Sequence, residues 1–283
     1  MADNDAHDVV MRGADAIRRR PGMYIGDVDQ LGLHHLAHRL LRDIFEGRQQ
    51  PTSFRVTIEG EALTIEDDRR MPVPDPVQMR SVAEEPWPGR PSALHCCNFV
   101  PVSNALSREF VFELWADGVG LRSDYARGEL QAGPRTFTPT TAHGCRMRMI
   151  PDELIFASTR WIYGRLVERL QVLAGLYAGV HVELCNRDRG HTHKYVYPRG
   201  PASWIEQLAP SGIPRPALLA SAVAGELRCD IGWTWVKASG SRVLGYTNTD
   251  HNRQGGSHTE GFRDAIGQLG RARGLYPFAL VSV

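Results

Sequence analysis

An α+β fold in two units is what the 283-residue chain predicts, and three features predict it. Residues 32–47 carry Leu33, Leu36, Ala37, Leu40, Leu41, Ile44 and Phe45 at helical spacing, so this segment has one apolar face to bury. Phe54, Val56 and Ile58 alternate with polar residues and turn through Gly60-Glu61 into Leu63 and Ile65, the pattern of a hairpin with one buried face. A stretch rich in proline and glycine, 198–216, separates these from a shorter pattern of strands and one helix. The expected divisions are an arm over 1–12, a main domain over 13–205 and a second unit over 206–283.

Composition narrows the class. A hydrophobic content of 42% suffices for a globular core, and no apolar run approaches membrane-spanning length. The opening residues 1–8 are acidic and polar, unlike a signal peptide, so a cytoplasmic protein without membrane contact is expected. Five cysteines, an odd number without paired spacing, suit reduced thiols. Cys96 and Cys97 follow His95, but adjacent cysteines share one tetrahedral ion poorly, which favours ordinary packing. The net charge of +1 supplies no global field for nucleic acid, so direct DNA binding is not expected. Lys194 and Lys237 are the only two lysines among 33 basic residues.

Taken in order, 14–20 is a short helical turn ended by Pro21. Gly22-Met23-Tyr24-Ile25-Gly26 then reads as a glycine-punctuated loop with one buried tyrosine. On the helix over 32–47, Arg39, Asp43 and Glu46 share the polar side with Arg42, by itself a solvated face. The hairpin ends at Glu66-Asp67-Asp68-Arg69-Arg70-Met71, and the proline-rich stretch 71–92 reads as an irregular loop. Strands are expected over 110–115, 118–125 and 145–150, with a loop over 133–144. Ile162, Leu166, Leu170, Leu173 and Leu176 mark a helix stopped by Gly179. A hairpin follows over 180–184 and 193–197, with His191 and His193 as surface residues. Beyond the boundary stretch, 227–236 and 242–247 read as strands. Ser257-His258-Thr259-Glu260 has the form of a capping box opening a helix towards Gly274.

The run Arg19-Arg20-Pro21-Gly22-Met23-Tyr24-Ile25-Gly26, followed by Gly32-Leu33-His34-His35, resembles the amino-terminal signature of the gyrase B and topoisomerase IV B proteins. These form the ATPase end of type II topoisomerases, within the GHKL superfamily. Residues 247–263 resemble the start of that family's transducer domain, and the likeness covers almost the whole chain. It implies a GHKL (Bergerat) sandwich, a mixed β-sheet covered by helices, followed by a truncated transducer-like α/β unit. It also implies residue roles. The family's helix supplies a glutamate that polarises water and an asparagine that holds magnesium; here Arg39 and Asp43 stand at those positions. The family's Asp-Asp-Gly-Arg-Gly accepts the adenine amino group on its first aspartate; Asp67 matches, and the glycines are Arg69 and Met71. The glycine-rich end of the ATP lid corresponds to Ser92-Ala93-Leu94-His95-Cys96-Cys97-Asn98, which has no glycine. Cys145 replaces a threonine whose hydroxyl helps bind adenine, Arg122 matches an arginine on the outer rim, and Tyr24 is placed near the nucleotide and the dimer contact. The family's phosphate-contacting lysines have no counterpart.

From the resemblance, Asp67, Asp43, Cys145 and Arg122 form a vestigial nucleotide pocket with no catalytic residue and no metal site. Magnesium is not expected, and ATP only with weak affinity. Losing a general base costs about two to four powers of ten in rate, and here lid and magnesium ligand change as well. Arg39 is expected to pair with Asp43 one turn away. The pocket is then either open or filled by Arg39, Arg69 and Met71. The leading expectation is a gyrase-B-like pseudo-ATPase acting as a binding module, partnered by a type II topoisomerase subunit or by itself. The alternative is an ATP-binding relative with weak or altered turnover.

Overall fold

The computed structural model describes residues 13–47, 49–73, 99–209, 216–237, 241–271 and 275–283, with backbone alone for 267–271. The arm over 1–12 and the lid segment over 92–98 therefore lie outside the described residues.

Helix α1 spans Ala14–Arg19. The expected loop after it is instead a one-turn helix, α2, Gly22–Ile25, in which Ile25 is buried and Tyr24 half-buried. The central helix α3 runs Gln30–Phe45 and buries the seven apolar residues that its periodicity singles out. It begins two residues earlier than expected because Asp29 caps it, its carboxylate accepting from Leu31 N at 2.7 Å and Gly32 N at 3.0 Å. Gly32 is obligatory there, since a Cβ would lie 1.8 Å from the Asp27 carbonyl oxygen.

Strands β1 (Ser53–Glu59) and β2 (Ala62–Asp67) form the expected hairpin. A short helix α4, Val100–Ala105, leads into β3 (Ser107–Ala116), β4 (Val119–Ala126), β5 (Glu129–Phe137) and β6 (His143–Pro151). After α5 (Tyr163–Leu176) come β7 (His181–Asn186) and β8 (His191–Tyr195). The eight strands form one sheet in the order β5-β4-β3-β6-β2-β1-β7-β8. The ladders around β3 and β6 are antiparallel, whereas His181 N bonds Thr52 O and Arg187 N bonds Ile58 O, both partners advancing together, so β1 and β7 run parallel and the sheet is mixed. β5 corrects the expected loop over 133–144. It is an edge strand, where a proline such as Pro134 is tolerated, and its ladder to β4 shifts register near Asp124.

Helix α6, Pro201–Leu208, which the sequence reading did not foresee, lies within the proline- and glycine-rich stretch 198–216. Pro201 stands in its first turn, where a missing N–H costs nothing, and Ala202, Trp204 and Ile205 are buried. Next come β9 (Leu218–Ala224), also unforeseen, then β10 (Leu227–Val236), β11 (Arg242–Thr247), β12 (Asp250–His251), helix α7 (Ser257–Arg271) and β13 (Tyr276–Ser282). These strands make a second sheet, β12-β11-β13-β10-β9. Phe262 of α7 packs with Ala279 and Val281 on one face, and α6 lies against β10 over Gly232 on the other. The helix start differs from the capping box: Thr259 Oγ1 accepts from Gly256 N at 3.1 Å and donates to Gly256 O at 2.8 Å. The chain divides into two compact units: Met1–Pro51 with Arg55–Tyr163 and Cys185–His191, and Thr52–Phe54 with Gly164–Leu184 and Thr192–Val283. No described helix is long and apolar enough to cross a membrane.

Asp152 ties down the first unit. Its side chain is inaccessible to solvent and accepts from Arg18 at 2.6 Å, from Arg127 at 2.9 Å and from Leu154 N at 3.1 Å. Burial alone would raise its pKa, but the Arg18 and Arg127 hydrogen bonds outweigh it and hold the carboxyl below its ordinary value. A carboxyl depressed in the folded state stabilises fully above its unfolded pKa, about 3.9, and loses that contribution as pH falls through the folded value. Asp152→Ala is expected to cost about 3 kcal/mol in urea unfolding at neutral pH, the scale for a buried charge network losing one member, and the gap to wild type should close as the solution is acidified below pH ~4.

Candidate functional site

The site is built where β2 ends against the carboxyl-terminal turn of α3. Asp67 is the last residue of β2 and pairs across the ladder with Cys145 of β6, which pairs in turn with Leu114 of β3. Directly opposed residues project to the same face, so Asp67, Cys145 and Leu114 share one side of the sheet. Gly144 permits this close packing, for a Cβ there would lie 2.5 Å from the Trp115 ring and 2.7 Å from Asp67 O. Cys145 is buried and lies outside any disulfide.

Asp67 is occupied from within the chain. Arg69 donates from Nε to Asp67 Oδ1 at 2.8 Å and from Nη2 to Oδ2 at 2.9 Å, a bidentate pair, while its backbone N–H reaches Oδ1 at 3.0 Å. Its Nη1 donates to the Ile44 carbonyl of α3 at 3.4 Å. Both side chains have 0% solvent exposure. Met71 is buried as well, at 5%. The sequence marks Arg69 as a bulky replacement for glycine; that its fork closes on Asp67 depends on the chain bending back after β2, which no periodicity encodes.

The polar side of α3 meets Phe99, the residue that caps α4. Phe99 N–H lies ahead of that helix, without an intrahelical acceptor, and donates to Asp43 Oδ2 at 2.7 Å. The Arg39 guanidinium lies 5.6 Å from the centre of the Phe99 ring, and its Nε has no hydrogen-bond partner among the described residues. The expected Arg39–Asp43 ion pair is therefore replaced by two separate contacts with Phe99. Burial pushes the Asp43 carboxyl above its ordinary pKa, against the pull of the Phe99 N–H and of Arg42.

Arg122 does not join this group. It pairs across the sheet with Glu113, the neighbour of Leu114, and so projects to the opposite face. There it donates to Glu113 at 2.9 Å and to Asp124 at 2.7 Å, and Arg146 bridges Glu113 and Glu66 at 2.9 Å each. Arg135 completes the lattice on Asp124 at 2.7 Å. Of the signature histidines, buried His34 accepts Ile162 N–H on Nε2 at 2.9 Å, and His35 donates from Nδ1 to Ile25 O at 2.9 Å. Both fasten neighbouring segments to α3. His191 and His193 are exposed, and no cluster of three metal-ligating side chains occurs among the described residues.

These residues do not fit a nucleotide held on Asp67. An adenine amino group would need an acceptor whose two oxygens are already matched by Arg69 and shut from solvent. Asp43, its carboxylate committed to Phe99 N–H and its ionisation disfavoured by burial, is a poor site for a divalent cation.

A mixed eight-stranded sheet backed by helices, its β2 aspartate set beside the central helix, is the α+β architecture of the GHKL ATPase domain. The chain is homologous to the gyrase B and topoisomerase IV B proteins, and its fold is that of the gyrase B ATPase domain. It is 27% identical to the gyrase B protein of Enterococcus faecalis over 288 residues, 91% of this chain and 44% of that one. It is 28% identical to a novobiocin-resistant gyrase B of Streptomyces niveus, covering 94% of this chain and 45% of the relative. The 43K ATPase domain of Thermus thermophilus gyrase B, solved with an aminocoumarin, matches with a TM-score of 0.83 at 26% identity, over 97% of this chain and 82% of that one. No family model matches. The chain spans under half the length of the two curated relatives.

Arg69→Ala leaves the Asp67 carboxylate buried and unpaired, and is expected to lower unfolding free energy by about 3–5 kcal/mol. The double change Asp67→Leu with Arg69→Met should cost clearly less than that single change; urea unfolding of the two variants beside wild type measures the difference. Asp43, with a folded pKa above its unfolded value, stabilises only below the unfolded pKa and loses that contribution as pH rises through the folded one. Asp43→Asn is thus expected to melt higher than wild type at pH 7, the two converging as pH is lowered towards ~4.

Proposed function

We propose that this chain is a gyrase-B-like pseudo-ATPase, a binding and regulatory module that acts on a type II topoisomerase with little or no nucleotide hydrolysis. The observation that carries the reading is the internal pairing of Asp67 with Arg69, which commits the base-accepting carboxylate to a residue of the same chain. Arg39 supports it. An arginine at the helix position of the water-polarising group cannot accept a proton from water at neutral pH. Asp43 adds to this, since its carboxylate is spent on the start of α4. In this reading the pocket around Asp67, Asp43 and Cys145 is vestigial, with Arg122 outside it. The domain over 13–205 serves as scaffold, 206–283 as a transducer-like unit. The location is cytoplasmic, and a topoisomerase subunit is the natural partner because the scaffold is the one its relatives use.

Phosphate release by the purified chain with ATP and magnesium is expected to match the protein-free blank, and titration with ATP, ADP or adenosine to give no heat at millimolar ligand. Turnover comparable to gyrase B ATPase fragments, abolished by Arg39→Ala, would overturn the reading. Binding of ATP that disappears in Asp67→Ala, with little turnover, would favour the second reading, a weakly active ATP-binding relative.

A further inference from the structure

The two sheets have four edges, and three of them are guarded. β5 carries Pro134, Arg135 and Glu129, and its ladder is broken by register shifts. β8 has five residues and includes Lys194 between His193 and Tyr195. β12 has only two residues. Short strands, charges, prolines and bulges are the usual means of keeping an edge from pairing with another chain.

The fourth edge, β9, has none of these. Its seven residues, Leu218-Leu219-Ala220-Ser221-Ala222-Val223-Ala224, hold no charge and no proline, and all are exposed. It pairs with β10 in unbroken register from Leu218 opposite Trp233 to Ala224 opposite Leu227. Among the described residues it has no strand on its other side. Leu218 is 49% exposed, Leu219 44% and Val223 73%, large apolar side chains left in water on an open edge. The free side offers about 23 Å of backbone donors and acceptors, at roughly 3.3 Å per residue.

We infer that β9 is a homotypic docking edge, which pairs antiparallel with β9 of a second copy about a two-fold axis through Ser221. The strand's own order argues for a copy over an unrelated chain. Around Ser221 it is nearly palindromic, so the pairing sets Leu219 against the copy's Val223 and Ala220 against the copy's Ala222. Such a two-fold places like groups near one another across the axis, which a charged strand cannot accept and this uncharged one can. Side-chain size agrees, with bulk at 219 and 223 and small residues at 220 to 222. A single strand edge buries less than the 1,200 Å² or so of a stable interface, so the dimer is weak and forms in the micromolar range or above. The product is one continuous ten-stranded sheet. This edge is separate from the pocket, and the inference stands or falls independently of the pseudo-ATPase reading.

Sedimentation of the full chain over a rising concentration series tests it, with hydrogen exchange on the same samples. The apparent mass should climb from one chain to two and stop there, with the amides of 218–224 gaining protection in step. Ala220→Lys with Ala222→Lys, both at exposed positions, should abolish the rise. Ala220→Lys with Ala222→Glu should restore it, because each lysine then faces a glutamate of the copy. The inference is overturned by a wild-type chain that stays monomeric, by a double-lysine variant that associates as wild type does, by a lysine and glutamate pair that stays monomeric, or by a mass that grows past two chains.

Discussion

Two opposite charges, Asp67 and Arg69, lie wholly out of water at the end of β2, and much of the site's arrangement answers to that fact. Removing such ions from solvent costs several kcal/mol each, and attraction recovers the cost only when geometry is close to ideal. Here both oxygens are met by the guanidinium fork, the Arg69 backbone N–H adds a bond, and the remaining edge of the fork reaches the Ile44 carbonyl. The pair thereby joins the sheet to the central helix. It also needs the residues around it, from Gly144, which lets β6 approach, to the helix turn that offers its carbonyl. A polar pocket between sheet and helix would ordinarily be satisfied by water or by a bound molecule; here a side chain two residues away does it, with no loss of translational freedom on binding.

Phe99 plays the corresponding part on the other side of α3. One residue supplies a backbone donor to Asp43 and an aromatic face to Arg39, so these two polar positions of the helix are directed to the start of α4, while Arg42 and Glu46 lie 3.8 Å apart as a pair of their own. The helix has the apolar pattern that packs it, while Arg39 and Asp43 on its polar side are taken up by contacts within the chain. That division explains how a chain only 26% identical to gyrase B of Thermus thermophilus superposes on it with a TM-score of 0.83. Core burial sets the path of the backbone, and the site residues ride on it.

Much of the fold was legible in the sequence because its strands alternate and its long helices are periodic. The central helix, the first hairpin, β3, β4, β6 and α5 all follow from such patterns. The failures share a cause. β5 and α6 contain prolines, and a proline reads as a break unless its place on an edge or in a first helical turn is known. β9 shows no alternation, since both of its faces are exposed. In the site, Asp67 and Cys145 could be named from a motif, and they do oppose one another. Arg122 could be named too, yet the strand register turns it to the other face. The closing of Arg69 on Asp67, and the choice of Phe99 over an Arg39–Asp43 pair, depend on the path of loops that carry no repeat.

The outer face of the large sheet is dense in arginine, but Arg122, Arg135 and Arg146 are each matched by Glu113, Asp124 or Glu66 within 3 Å. Fields from such closely matched charges cancel over distances shorter than the ~8 Å screening length of physiological salt. Each of these three guanidinium groups is spent on an ion pair between neighbouring strands, Arg122 of β4 to β3, Arg135 of β5 to β4 and Arg146 of β6 to β2, so it acts as a rivet across the sheet rather than as a lone positive charge.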